Sequence, residues 1–134
     1  NANPTALVIA NNCFQAVNVI GFPEARITLS QTVIYLACSP KSNSAYMAIN
    51  DAQEMVRKSG NLSVPLHLRN TASKLMKELG YGKDYEYSHN KPTKAQEFLP
   101  DEISKTSFYQ PLNNAKENAF KEGLKNLWKD KYNY

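Results

Sequence analysis

The stretch Ser39 to Val56, SPKSNSAYMAINDAQEMV, decides how the chain is read. A lysine among small hydroxyl and amide residues runs straight into a helix-like pattern. The segment either grips a nucleotide or phosphate, or it only starts a helix. A loop that cradles phosphate needs glycines, because its backbone amides must approach the anion closely and adopt positive φ. This stretch has none, and Pro40 removes an amide that such a cradle would use. Ser42 or Asn43 as N-cap, with the small Ala45 and Ala48 beneath, accounts for the pattern as a helix start. A helix N-terminus beside Lys41 still has room for one nucleic-acid phosphate. It is not a nucleotide site.

Working outward, the chain reads as five helices with short breaks. The first runs from Pro4 to Ile20, with Asn3 as N-cap and Pro4 at the first helical position. Its stripe is Ile9, Cys13, Val17 and Ile20, widened by Leu7, Phe14 and Ala16. Gly21 stops it and Pro23 opens the second, about Glu24 to Cys38. The third, about Ser42 to Lys58, aligns Ala45, Ala48, Ile49, Ala52 and Val56, and Arg57-Lys58 precede the stop at Gly60. The fourth is short, Thr71 to Leu79, with Ala72, Leu75, Met76 and Leu79 expected to face inward. A long irregular segment, Tyr81 to about Leu112, leads to the last helix, about Asn114 to Lys131, which should bury Phe120, Leu124, Leu127 and Trp128. Strand-like alternation is confined to a few residues around Tyr85 to Tyr87. The predicted class is all-α.

The 134 residues suit one domain with a sizeable core, and the composition is that of a globular protein: 42% apolar, 21% charged and 10% aromatic. The chain starts without Met and reads as a piece of a longer protein, with Asn1-Ala2 given no weight. No apolar run is long enough for a membrane span, and nothing resembles a secretion signal. Cys13 and Cys38 are too few and too far apart for a disulfide framework or a zinc ribbon, and both are expected as buried thiols of a reducing cytosol. The sequon at Asn61 is then chance.

Net charge is +4 and the distribution is lopsided. Before Lys41 the only charged side chains are Glu24 and Arg26; the other 26 of 28 lie beyond. A surface helix normally shows a charged face. Two successive helices almost without charge imply burial on several sides, by the rest of this domain, by an upstream domain or by another copy of the chain.

Few residues suggest catalysis. His67 and His89 are isolated from each other and from the cysteines, so metal-ligand spacing is absent. Within VPLHLRN, Val64 to Asn70, His67 and Arg69 are expected to make local structural bonds, with an interdomain or phosphate contact through Arg69 as the alternative. Asp101-Glu102 suits a helix start or turn better than a carboxylate dyad. The segment Tyr81 to Pro100 interleaves aromatics with lysines, as single-stranded nucleic-acid sites do, but tyrosines also pin loops to helical cores, and Asp84 and Glu86 dilute its positive field.

Taken in order, GFPEARITLSQTVIYLACSPKSNSAYMAI, VPLHLRN, KLMKELGYGKDYEYSHN and FLPDEI resemble the C-terminal region of the MgsA/RarA family. These are bacterial AAA+ ATPases called replication-associated recombination protein A, similar to the eukaryotic Werner-helicase-interacting protein. The resemblance runs from about Ala6 to Trp128; Lys91 to Gln96 is shorter and less aromatic than the family pattern. It implies a post-AAA+ oligomerisation domain related to the collar of clamp loaders. It also implies that the ATPase machinery, with its ATP and Mg, lies upstream, so this part has no cofactor and no catalytic residue of its own. The chain accordingly holds no G-x-x-x-x-G-K-[ST]. The family forms homotetramers that act at stalled replication forks, in the cytoplasm and at the nucleoid, and its ATPase activity is linked to DNA ends and single-stranded DNA.

The leading expectation is therefore an assembly module that joins protomers, with Leu7, Phe14, Phe22, Pro23, Arg26, Leu29 and Val33 at the contact and the upstream AAA+ module as a second partner. The alternative is a DNA-binding module in which Lys41, Arg57, Lys58, Arg69, Lys74 and Lys77 touch phosphates of single-stranded or forked DNA. Replication proteins are further partners on either reading. A third reading, an enzyme in its own right, has no residues from which to assemble a site.

Overall fold

The computed structural model describes residues 1–87, 96–128 and 131–134, and all five helices are present among them. They are α1 (Thr5–Ile20), α2 (Ala25–Cys38), α3 (Ser44–Ser59), α4 (Lys74–Glu78) and α5 (Ala115–Trp128). Two 3-10 turns, Leu66–Leu68 and Asp101–Ile103, lie in the connections, and no strand occurs among the described residues. The expected strand-like residues Tyr85 to Tyr87 have no regular structure. His89, Pro92 and the residues following Trp128 in the expected last helix fall partly or wholly outside the described residues.

α1 and α2 form an antiparallel hairpin. Gly21, at φ 72, ends α1 with its N–H on the Val17 carbonyl at 3.0 Å, and its own carbonyl accepts the Ala25 N–H at 2.8 Å. Only glycine takes that backbone conformation without strain. The other end of the hairpin is tied by Asn3, whose side-chain amide donates to the Tyr35 hydroxyl at 3.0 Å and to Ser39 Oγ at 2.8 Å. Asn3 was expected to cap α1 with its side chain. Instead its carbonyl accepts the Ala6 N–H, and its amide joins the start of α1 to the end of α2. The seam buries small side chains, Cys13, Ala25 and Thr32, which lets the two backbones come close. Thr32 satisfies its hydroxyl on the Thr28 carbonyl.

α3 starts as its sequence indicates. The Ser42 hydroxyl accepts the Ser44 N–H at 3.2 Å, the Asn43 carbonyl accepts the Met47 N–H, and Gly60 closes the far end at φ 66. Its apolar line, however, is only partly covered: Ala48 and Ala52 are half-buried, and Ala45, Ile49 and Val56 are exposed. Among the described residues, α1 and α2 are the only pair of helices in close backbone contact.

The second half folds around its connections. Arg69 donates from Nε to the Val64 carbonyl at 2.7 Å and from Nη1 to the Tyr81 hydroxyl at 3.2 Å, with its guanidinium 5.2 Å from the Tyr81 ring centre. Thr71 holds the Tyr81 carbonyl, and Gly82 donates to the Leu66 carbonyl. Because Thr71 is engaged in this way and Ser73 caps the Met76 N–H, α4 begins at Lys74, shorter than its sequence pattern. Leu75 and Leu79, expected to face inward, are exposed, since five residues give too short a helix to cover two faces.

Near the C-terminus, Glu97 accepts the N–H groups of Phe98, Leu99 and Lys105, and pairs with Lys131 at 3.4 Å. Lys131 also lies over the rings of Trp128 and Tyr132, each 5.1 Å away. Burial works to raise the Glu97 pKa, and the backbone donors with Lys131 more than offset it, so the carboxyl sits below its ordinary value.

Candidate interaction surface

A compact monomer of 15.1 kDa exposes about 7,100 Å² of accessible surface. This chain exposes 9999 Å². The excess, about 2,900 Å², exceeds three times what one partner gives to a standard protein–protein interface. Large apolar side chains contribute to it. Ten large apolar side chains between Leu7 and Ile34 are exposed, on a hairpin whose only charges are Glu24 and Arg26.

α1 is the extreme case, with no charged side chain in 16 residues. One side packs on α2; the other presents Leu7, 78% exposed, and Phe14, 64% exposed, two helical turns apart on one line. On α2, Leu29, Val33, Ile27 and Ile34 are bare, and Phe22 and Pro23 project from the turn. All seven expected contact residues are thus exposed, from Leu7 through Val33, Arg26 included. α3 adds the exposed Ala45, Ile49 and Val56, with Ile49 54% and Val56 63% exposed, beside the half-buried Ala52. Cys38, expected to be buried, is also exposed, so only Cys13 behaves as a core thiol.

The basic residues are scattered and partly occupied. Lys41 donates to the carbonyls of Leu36 and Ser39, both at 2.6 Å, and so closes the end of α2. Lys58 pairs with Glu54 at 2.6 Å. Arg69 is committed to Val64 and Tyr81. The side chains of Arg57, Lys74 and Lys77 make no hydrogen bond or ion pair among the described residues.

One polar cluster is fully internal. Glu117, 0% exposed, takes hydrogen bonds from the Ser44 hydroxyl, from Tyr109 at 3.0 Å and from the Asn114 amide at 2.5 Å. Asn114 in turn accepts the Glu117 N–H, so Asn-x-x-Glu opens α5 as a capping pair. Burial pushes the Glu117 carboxyl up, but the donors Ser44, Ser42, Asn114 and Tyr109 outweigh it and hold the pKa at about 2. The same contact, with burial, raises the Tyr109 phenol. A carboxylate so fully satisfied is a clamp between the start of α3 and the start of α5. Sequence reasoning passed over Glu117, although the Asn-x-x-Glu spacing was the available signal.

His67 Nε2 donates to the Glu97 carbonyl, 2.7 Å away, a structural bond that reaches 30 residues along the chain rather than the local one expected. Among the described residues no group of three His, Cys, Asp or Glu side chains is arranged to hold a metal ion, and no helix is long and apolar enough to cross a membrane.

Comparison with known proteins points to one family. The family described as "MgsA AAA+ ATPase C terminal" matches residues 1–128. Replication-associated recombination protein A of Coxiella burnetii is 39% identical over 127 residues, covering 92% of this chain and 29% of the relative. The protein of that name from Bacillus subtilis is 41% identical over 133 residues, 97% of this chain and 32% of the relative. ATPase WRNIP1 of Dictyostelium discoideum is 37% identical over 112 residues, 81% of this chain and 13% of the relative. The chain spans less than a third of the length of these relatives.

Proposed function

This chain belongs to the MgsA AAA+ ATPase C-terminal family, and on that premise we propose that it is the assembly module of a replication-associated recombination ATPase. It joins copies of the chain, in a homo-oligomer of tetramer type, so that ATPase modules are arranged around DNA. The chain contributes no catalytic residue; ATP and Mg belong to the upstream module.

One observation carries this reading: a surface excess of about 2,900 Å² together with the large apolar side chains left exposed on the nearly uncharged α1–α2 hairpin. Exposed apolar surface is stabilised by association, and contiguous patches beyond a few hundred Å² mark interaction sites. Light scattering coupled to gel filtration tests it. A mass that rises with concentration to a multiple of 15.1 kDa is expected. A strict monomer at high micromolar concentration would overturn self-assembly.

A second reading, contact with single-stranded or forked DNA, rests on Arg57, Lys74 and Lys77, whose ammonium and guanidinium groups are not taken up by the described residues. It predicts weak binding that falls steeply with salt. Absence of binding at low salt would end it.

A further inference from the structure

A polar cavity of about 370 Å³, which shares no residue with the α1–α2 hairpin, is lined by His67, Lys83, Asp84, Glu86, Gln96 and Glu97. Its size is at the small end for ligand pockets, which suits one side chain with its peptide group. Part of the lining is engaged in holding the cavity together. His67 Nε2 donates to the Glu97 carbonyl, and the Glu97 carboxylate is filled by the N–H groups of Phe98, Leu99 and Lys105 and by Lys131. Gln96, 7% exposed, is fixed at two points: its carbonyl accepts Lys131 Nζ at 2.6 Å, and its Oε1 accepts the Glu86 N–H at 2.7 Å. The plane of its side-chain amide is thereby set, and its buried Nε2 has no hydrogen-bond partner. A buried donor left in that state is unfavourable, and an acceptor brought by a ligand removes the penalty.

The side chains of Lys83, Asp84 and Glu86 also make no hydrogen bond or ion pair among the described residues. The unmet groups of the cavity are therefore one neutral donor, one cation and two carboxylates. Since Lys131 balances Glu97, one net negative charge remains. A phosphate would meet the two carboxylates and is disfavoured. A ligand that answers both needs brings a carbonyl oxygen to Gln96 and a cation to Asp84 and Glu86. We infer that the cavity docks a basic residue of a partner peptide: a main-chain carbonyl accepts from Gln96 Nε2, and the adjoining side-chain cation lies against Asp84 and Glu86. Arginine fits best, because its planar fork can bond a carboxylate through two N–H groups.

This inference is independent of the assembly reading, and its test reads the cavity itself. The nitrogen-15-labelled chain is titrated with N-acetyl-arginine methylamide while the side-chain amide resonances of Gln96 are followed. Those resonances are expected to shift and saturate. N-acetyl-alanine methylamide, which has the carbonyl and no cation, should bind about ten-fold more weakly. Inorganic phosphate should leave the resonances in place. Lys83, Asp84 and Glu86 are exposed, so substitutions there keep the fold, checked by far-ultraviolet circular dichroism. Asp84→Asn and Glu86→Gln should each weaken binding of the arginine probe, and Lys83→Met should tighten it by removing a like charge. A Gln96 amide that does not respond to the arginine probe would overturn the proposal. So would an alanine probe that binds equally well, a response to phosphate, or Lys83→Met weakening the arginine probe.

Discussion

The Ser44 hydroxyl donates to the carboxylate of Glu117, joining two helix starts that lie 73 residues apart in sequence. Ser44 is the first residue of α3 and Glu117 stands in the first turn of α5. The bond lets one buried charge satisfy donors at both helix starts, and it ties the helix start read in Ser39 to Val56 to a protein carboxylate.

Stability should follow the Glu117 charge. Its pKa in the folded chain is about 2 against an ordinary 4.5. A depressed carboxyl contributes stability that is fully present above the unfolded pKa and is lost as pH falls through the folded one. The contribution is about 3 kcal/mol, lost between about pH 5 and pH 2. Urea unfolding across that window should show the loss, and the same series on Glu117→Gln should be flatter. Glu117→Ala leaves Ser44, Tyr109 and Asn114 with unmet donors and should cost about 2–4 kcal/mol at neutral pH. Equal pH slopes for the two proteins would refute the clamp.

Two glycines should respond oppositely to alanine. Gly82 has φ +67, and a Cβ there would lie 2.7 Å from Thr71 Oγ1, whose hydroxyl holds the Tyr81 carbonyl. Gly82→Ala should destabilise by about 1–3 kcal/mol and loosen the turn around Arg69. Gly123 lies inside α5 with nothing within 4 Å of an added Cβ. Gly123→Ala should stabilise by about 0.5–1 kcal/mol. Thermal melts of both variants decide the signs.

The DNA reading separates the lysines. Removing Lys74 and Lys77 together should lower the salt slope of single-strand binding by about 1.4, whereas Lys41→Ala should leave it unchanged. Lys41 is occupied on the Leu36 and Ser39 carbonyls, so its loss should appear instead as fraying at the end of α2. Fluorescence anisotropy over a salt series measures the slope. Equal effects from all three lysines would mean that Lys41 leaves its carbonyls to meet phosphate.

The helices were legible in the sequence because they are bounded by strong local chemistry. Gly21 and Gly60 stop α1 and α3 by their backbone freedom, and the spacing of Ile9, Cys13 and Val17 sets the packed side of α1. The family was legible in the long segments from Gly21 to Ile49 and around VPLHLRN. Burial was not, because periodicity shows only that a face is apolar. Leu75, Leu79, Ile49 and Cys38 look like core in sequence and are exposed in the chain. Glu117 was missed for the converse reason: a carboxylate in a lysine-rich helix reads as surface until Ser44 and Tyr109 arrive from distant parts of the chain. The charge-poor hairpin was the most informative signal. Its burial is not supplied by the rest of the described chain.

The central claim is that other copies of this chain cover its bare apolar surface. Sedimentation equilibrium of the chain over a concentration series tests this most directly. The account predicts a mass that climbs from 15.1 kDa to a whole multiple of it, and that is held at 15.1 kDa by Phe14→Asp. A mass of 15.1 kDa at every concentration, up to the highest micromolar range, would contradict it.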